Sequence, residues 1–600
     1  MMRCEAALLA GAILFYGSSC GQDQGKPAGA RGPLTLRIMA PSDGYQTVQE
    51  VAYLLGRTNP GVQVKVGDMA VEVYSTGGFA RDGIPLEMGE NTIEVVATDA
   101  TGQRVIRSVR VIRKEPQPEP PPSVLRVVEP ADDIALLPGE TLSIRAVGPP
   151  GGTGFATCFG GEAKLALTEA RNDRGEPTGS YSATVKAPAR GSGKAAVVAV
   201  SLRRAKNGPT MEAKSKGTVD VWDPLAVQVG ECRDDRSGIT MGLHSVRLGG
   251  PYLARIPRGV RFEIVGRQGG NYRIRLSRSR SGWIPVEDVA RLPEGTLVPH
   301  NYFTSCEING DEQHDRVTVP LLEKVVVAVT SESEPLNKLY LDFFNTHDAL
   351  TWISHKTGAR VVGTITGEQM EDDWYRLTVP LKCKQIWGYW LETDGKSLTL
   401  VIRRPPALAA EPASPLKGLM FALEAGHGGS SDGAVGHMGT KEKDVNAAAV
   451  AALKGVLEGR GATTILVRPG DTNPTLTARV EAANEVNADF YVAVHANAAG
   501  NGRGFLKVSG TSTYYRDKHC RLLAQLVYNG LLGLGWNEFG VVGNFAYSPL
   551  QNTKMPSMLI EQAFMSNPAD EARLLDSTYQ QQQAEAVADS LEQFLRRVRE

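Results

Sequence analysis

The hydrophobic pattern of this chain changes period near Leu416, and that change limits what each part can fold into. Upstream, apolar and polar residues alternate in short runs broken by Gly, Asn, Asp and Pro, the period of two that belongs to half-buried strands. Downstream, short continuous apolar runs alternate with stretches whose apolar residues recur every three or four positions. That alternation predicts an α/β domain with a mostly parallel sheet. At 600 residues, against a usual span of about 100–200 residues per domain, the chain exceeds one hydrophobic core. It reads as a multidomain protein with β-rich modules in front and an α/β unit behind.

Residues 1–20 hold Arg3, the apolar run AALLAGAILFY and then GSSC. The run suits a signal-peptide core and is too short to cross about 30 Å of hydrocarbon. Gly17, Ser18 and Ser19 before Cys20 resemble a bacterial lipobox that lacks the usual leucine three residues before the cysteine. The expectation is an exported, periplasmic or cell-envelope protein with membrane attachment through lipidated Cys20; simple cleavage nearby is the alternative. Residues 21–33 are Gly- and Pro-rich, as in a flexible tether.

The runs LTLRIM, VQVKV, TIEVVAT and RVIRSVRVIR predict a β-sandwich over 34–115, and the prolines of PQPEPPPS mark its end. A second sandwich is expected over 124–222 from LSIRAV, SYSATVKA and AAVVAVSLRR. Both resemble bacterial immunoglobulin-like modules. Residues 225–293, with GVRFEIVGRQGGNYRIRL followed by SGWIP, are similar to the Src-homology-type small barrel of cell-wall enzymes. There Tyr272 and Trp283 are read as exposed aromatics able to stack on sugar or peptide, with a core role for Trp283 as the competing reading. Residues 296–403, ending in LTLVIRR, resemble an AMIN-type wall-targeting sandwich, and 404–415 form a Pro/Ala-rich linker into 416–600.

The formal charge of −1 provides no global field to recruit nucleic acid. Beyond Cys20 the cysteines are Cys158, Cys232, Cys306, Cys383 and Cys520, an odd and scattered set without CxxC spacing. Cys306 and Cys383 share one predicted unit and could pair.

In the last unit a strand over 418–423 leads to a helix over Lys443–Leu457, with Val445, Ala449, Leu453 and Val456 on one face and Gly459 at the C′ position. ATTILVR, DFYVAV, TSTYY and SMLI read as strands, with helices over 476–486, 519–532 and 579–598. Three apolar runs stop at chemically capable residues: LMFAL leads to His427, DFYVAV to His495 and SMLI to Glu561, while Glu442 sits at the mouth of a helix. Residues that follow parallel strands lie where α/β sheets gather ligands. Two His and one Glu are a recurrent catalytic zinc set that leaves one position to water. His427, Glu442 and His495 supply it for one ion, and Glu561 is then the general base.

The motifs EAGHGG around His427, EKDVN from Glu442, AVHAN around His495 and MPSMLIEQAFMSN around Glu561 resemble, in order and spacing, the zinc-dependent N-acetylmuramoyl-L-alanine amidases of bacteria. The resemblance covers roughly residues 417–600. It implies that His427, Glu442 and His495 bind zinc, that Glu561 is the catalytic acid/base, and that the amide between N-acetylmuramic acid and L-alanine in peptidoglycan is hydrolysed. One departure is Glu424, where the family usually has Asp. The long helix with which some division amidases block their zinc is not evident.

Of the nine histidines, His437 and His519 are read as structural. Arg479 and Asn484 are assigned to holding helices and loops, and Asn497 to a turn or to substrate. Asp432 and Asp444 are set aside, the latter as a first-turn carboxylate favoured by the helix dipole. A zinc peptidase or other amidohydrolase acting on wall peptides and a non-catalytic wall-binding protein are the competing functions.

Overall fold

In a computed structural model of the chain, the described residues are 33–599 except 117–121, 162, 190–194, 205–207, 236, 244–251, 335–336 and 501–503. The export segment, Cys20 and nearly all of the tether lie outside them. Among the described residues no helix is long and apolar enough to cross a membrane.

The chain is multidomain and β-rich ahead of its final unit. Strands Leu36–Ala40, Val51–Thr58 and Gly78–Pro85 form one sheet, and a five-stranded sheet faces it across a core that includes Leu54, Val64, Phe79, Val95 and Val111. The next strands enclose a second core around Ile144, Tyr181, Val200 and Leu202. These strands do not end at a linker. Ile134–Leu136 pairs in parallel with Thr210–Val221 and antiparallel with Arg261–Gln268, so one sheet runs continuously into the small barrel.

The barrel core of Phe262, Ile274, Leu276 and Ile284 is completed by Val326, Ala328 and Phe344 from the following unit. Tyr272, read from the sequence as exposed, is buried in that core. Inward-facing alternation along Asn271–Arg275 leaves it no other direction. Trp283 is half-buried on the adjacent strand and outside the core. The five described cysteines, Cys306 and Cys383 included, are free thiols.

Residues 301–403 build a five-stranded and a four-stranded sheet around Phe303, Leu341, Phe343, Leu377 and Leu400. Asp315, 0% exposed, anchors this unit. Its carboxylate accepts from the backbone N–H groups of Arg360, Val361 and Val362 at 2.9, 2.7 and 2.9 Å, and from Arg404 Nε at 2.8 Å. The unit also docks on the final domain. Trp387 packs edge-on against Phe490 at 5.6 Å, and Arg403 pairs with Asp489 at 2.6 Å.

The final domain has a six-stranded sheet ordered Thr463–Leu466, Met420–Ala425, Phe490–Asn497, Ser557–Phe564, Thr511–Tyr514, Glu538–Val542. Every neighbouring pair is parallel except Thr511–Tyr514 with Ser557–Phe564. Helices α1 (Glu442–Gly459), α3 (Arg521–Leu532) and α5 (Ser577–Arg599) cover one face through Leu453, Val527, Leu591 and Phe594. Helix α2 (Leu476–Glu485) lies over the other face, where Ala483 meets Tyr491 and Leu559. A short α4 (Pro568–Leu574), unread from the sequence, is capped by Asn567, whose side chain accepts from Ala569 and Asp570 N–H.

Helix α1 runs past the expected stop. Gly459 is its last helical residue, and Gly461, at φ 88°, takes the left-handed position after Arg460. A glycine in a final turn costs only about 1 kcal/mol relative to alanine, so the helix continues until the backbone must reverse.

Removing one partner of a buried, hydrogen-bonded ion pair costs about 3–5 kcal/mol. Asp315→Ala should therefore lower the unfolding free energy by that order and the urea midpoint with it, measured by tryptophan fluorescence against the unmodified chain.

Candidate metal centre

Parallel strands deliver the chemistry to one end of the sheet. His427 follows Met420–Ala425, whereas His495 and Glu561 lie inside their strands, which continue to Asn497 and Phe564. The sequence placed both just after strand ends; pairing extends further because Asn497 still finds Phe564 as its register partner. His495 and Glu561 stand in register across the parallel pair. Register partners project to the same face, and the alternation that sets Tyr491 and Leu559 against α2 puts both on that face, at the strand ends that the first residue of α1 reaches.

Glu442 is the first residue of α1 and is buried. Its Oε2 lies 3.1 Å from His427 Nε2, and its Oε1 lies 3.2 Å from His495 Nδ1. The carboxylate also accepts from the Ala434 N–H at 2.8 Å, the Ala496 N–H at 3.1 Å and Asn446 Nδ2 at 3.2 Å. Burial alone would raise its pKa, but the hydrogen bonds and charge of the two imidazoles hold it well below the usual carboxylate range. One ligand-type atom from each of His427, Glu442 and His495 falls within 4.8 Å of the others, a group able to hold a metal ion. His495 Nε2 is buried without a hydrogen-bond partner, a donor atom whose burial is uncompensated by protein.

Backbone geometry permits this crowding. His427 itself has φ 63°, an unfavourable conformation for a residue with a side chain. Gly426 serves a close approach, since a Cβ there would stand 2.3 Å from His495 Cε1. Gly433 is similar: a Cβ would meet Glu442 Oε2 at 2.5 Å.

Beneath the site is a buried polar network that the sequence pointed to only in Arg479 and in the Glu424 departure. Glu424 is 0% exposed and accepts from Arg479 Nη1 at 2.6 Å, Tyr491 OH at 2.6 Å and Tyr547 OH at 2.7 Å. Arg479 Nη2 also donates to the His427 carbonyl at 2.9 Å, and the Tyr547 ring stands edge-on to His495 at 5.7 Å. Burial and the neighbouring Glu424 charge push both phenols well above their ordinary pKa. Arg468 donates to the Gly426 carbonyl at 3.1 Å. Gln562 Nε2 donates to Asn446 Oδ1 at 3.1 Å and to the His495 carbonyl at 3.2 Å. Of these unread residues, Asn446 alone carried a local signal, lying one helical turn after Glu442.

The other candidates fall outside the centre. His437 lies 2.6 Å from the Ser566 carbonyl oxygen, and burial lowers its pKa. His519 contacts Ser331 Oγ at 3.0 Å in the seam with the preceding unit. Asp432 pairs with Lys441 at 3.2 Å, Asp444 is exposed on α1, and Asn497 accepts from the Ala498 N–H at 2.9 Å. Asn484 Oδ1 accepts from Asn552 Nδ2 at 3.0 Å, tying α2 to a loop.

Gly426→Ala forces the new methyl into the His495 ring. Overpacking of this kind costs about 1–3 kcal/mol, so the variant should melt at a lower temperature with a shifted His495 imidazole NMR signal; unchanged ring signals would contradict the geometry.

Residues 422–593 match the family model described as N-acetylmuramoyl-L-alanine amidase. The uncharacterized protein YqiI of Bacillus subtilis is 33% identical over 205 residues, covering 33% of this chain and 93% of that protein. The amidase LytC of the same organism is 31% identical over 206 residues, or 33% of this chain and 40% of LytC. Among solved structures, the amidase AmiC2 of Nostoc punctiforme is 34% identical, covering 30% of this chain and 99% of that one with a TM-score of 0.28. Four motifs in order, a family match across most of the α/β domain and a relative matched along nearly its full length place the chain in the N-acetylmuramoyl-L-alanine amidase family.

Proposed function

We propose that this chain is a zinc-dependent N-acetylmuramoyl-L-alanine amidase that hydrolyses the amide between N-acetylmuramic acid and L-alanine in peptidoglycan. The observation that carries the reading is the meeting of His427, Glu442 and His495 within 4.8 Å at the carboxyl end of the parallel strands. Two imidazoles and a carboxylate suit zinc, and the partnerless, buried Nε2 of His495 fits a ligand atom. Zinc bound by these three residues supplies Lewis acidity to the scissile carbonyl and to the attacking water.

The chain's own residues do the rest. Glu561, in register with His495, takes the proton of the attacking water and passes it to the departing L-alanine nitrogen. Asn446 and the N–H groups of Ala434 and Ala496 orient the Glu442 carboxylate. Arg479 fixes the backbone at His427 through its carbonyl. Export, lipid attachment at Cys20 and wall targeting by the immunoglobulin-like, barrel and AMIN-like units complete the proposal, supported by the apolar run before Cys20 and the β-rich make-up of those units. Linked modules that hold the substrate polymer raise its effective concentration at the catalytic domain.

Digestion of isolated sacculi followed by mass spectrometry should release stem peptides beginning with L-alanine; products in which muramic acid keeps its peptide would overturn the reading. Glu561→Ala should keep its metal, measured by elemental analysis, and lose roughly 10²- to 10⁴-fold in turnover. His495→Ala should lose the metal itself.

A further inference from the structure

A cavity of about 570 Å³ lies where the barrel, the 301–403 unit and the amidase domain meet, within the roughly 300–1,000 Å³ range of small-ligand sites. Its walls come from the barrel strand Tyr252–Ile256, the strand Tyr389–Thr393, helix α2 and the segment 548–554. None of His427, Glu442, His495 and Glu561 lines it. The cavity nevertheless backs onto the metal centre. Helix α2 offers Thr477 and Val480 to the cavity while its Arg479 holds Glu424 and the His427 carbonyl. Segment 548–554 follows Tyr547, another partner of Glu424.

The lining charges indicate what the cavity takes. Of the three lining acids, Glu392 is engaged by Trp390 Nε1 at 2.8 Å and by Arg316 at 3.2 Å, Asp235 accepts the Arg258 N–H at 2.8 Å, and Glu481 of α2 also has a partner. The cations are less committed. Lys554 Nζ sits 5.1 Å over the Trp390 ring, and among the described residues neither it nor Arg255 has a carboxylate within ion-pair distance. Arg516, paired with Asp517 at 3.1 Å, lies 4.9 Å over the Tyr252 ring. Two aromatic rings that each carry a cation over one face favour a carboxylate beside an aliphatic chain over a stacked sugar.

We propose that this three-unit cavity is a second, non-catalytic binding site for an acidic peptide with free carboxylates. Resting on the amidase reading, that peptide is the stem of peptidoglycan, held by Lys554 and Arg255 with Trp390 and Tyr252 against its aliphatic parts. The site then engages one stem while the metal centre acts on another.

Isothermal titration of the full chain with the tetrapeptide L-alanyl-γ-D-glutamyl-meso-diaminopimelyl-D-alanine, whose three carboxylates outnumber its two ammonium groups, tests this, because the peptide lacks the scissile bond. Binding should weaken about tenfold or more in Lys554→Glu and less in Lys554→Gln, and about tenfold for the same peptide with its carboxylates amidated. Glu561→Ala should bind like the unmodified chain. Absence of heat at millimolar peptide, equal affinity for the amidated form, unchanged affinity in both Lys554 variants, or loss of binding in Glu561→Ala each overturns the proposal. Melting curves establish that the variants fold; should Lys554→Glu not fold, the amidated peptide and Lys554→Gln decide. Sacculi left undigested by a chain that binds the tetrapeptide would remove the amidase reading and leave the peptide site standing.

Discussion

A buried carboxylate is expensive unless every lone pair is used, and Glu442 is where this protein meets that demand. Two imidazoles, two backbone N–H groups and one side-chain amide converge on it. Those partners come from the loop after the first strand, the central strand and the first turn of α1. The carboxylate therefore fixes the position of a helix against a sheet as well as the spacing of two histidines. A metal ion held there would take over part of the same charge balance, so architecture and proposed chemistry share one requirement.

Glu424 repeats the arrangement one layer below. It faces Arg479 from α2, Tyr491 from the central strand and Tyr547 from the loop before Ser557–Phe564. With Arg479 on the His427 carbonyl and Tyr547 edge-on to His495, both histidines are supported from beneath. Hydrogen-bonded support of this kind holds a site's geometry more tightly than contacts to solvent would. The Glu424 side chain reaches three donors at 2.6–2.7 Å.

The β-rich units are packed onto one another and onto the amidase domain. One sheet passes from the second sandwich into the barrel, the barrel borrows core residues from the next unit, and Trp387 enters the core of the amidase domain. The junctional cavity stands where the barrel, the 301–403 unit and the amidase domain meet.

Strand and helix order in the amidase domain was legible because apolar periodicity is a local property: Val445, Ala449, Leu453 and Val456 announce one buried face, and all four are buried. The chemical residues were legible because each motif is contiguous. Helix α4, the edge strand Glu538–Val542, the true stop of α1, the burial of Tyr272 and the joined sheet were not, since each depends on what another segment places opposite. The order of residues by itself determined the alternation of strands and helices and which side chains could bind a metal or move a proton. Only the tertiary structure decided that Glu442 reaches both imidazoles, that Gly426 must leave room for the His495 ring, and that Glu424 draws two tyrosines and an arginine beneath them, because those distances are set by parallel pairing between strands remote in sequence.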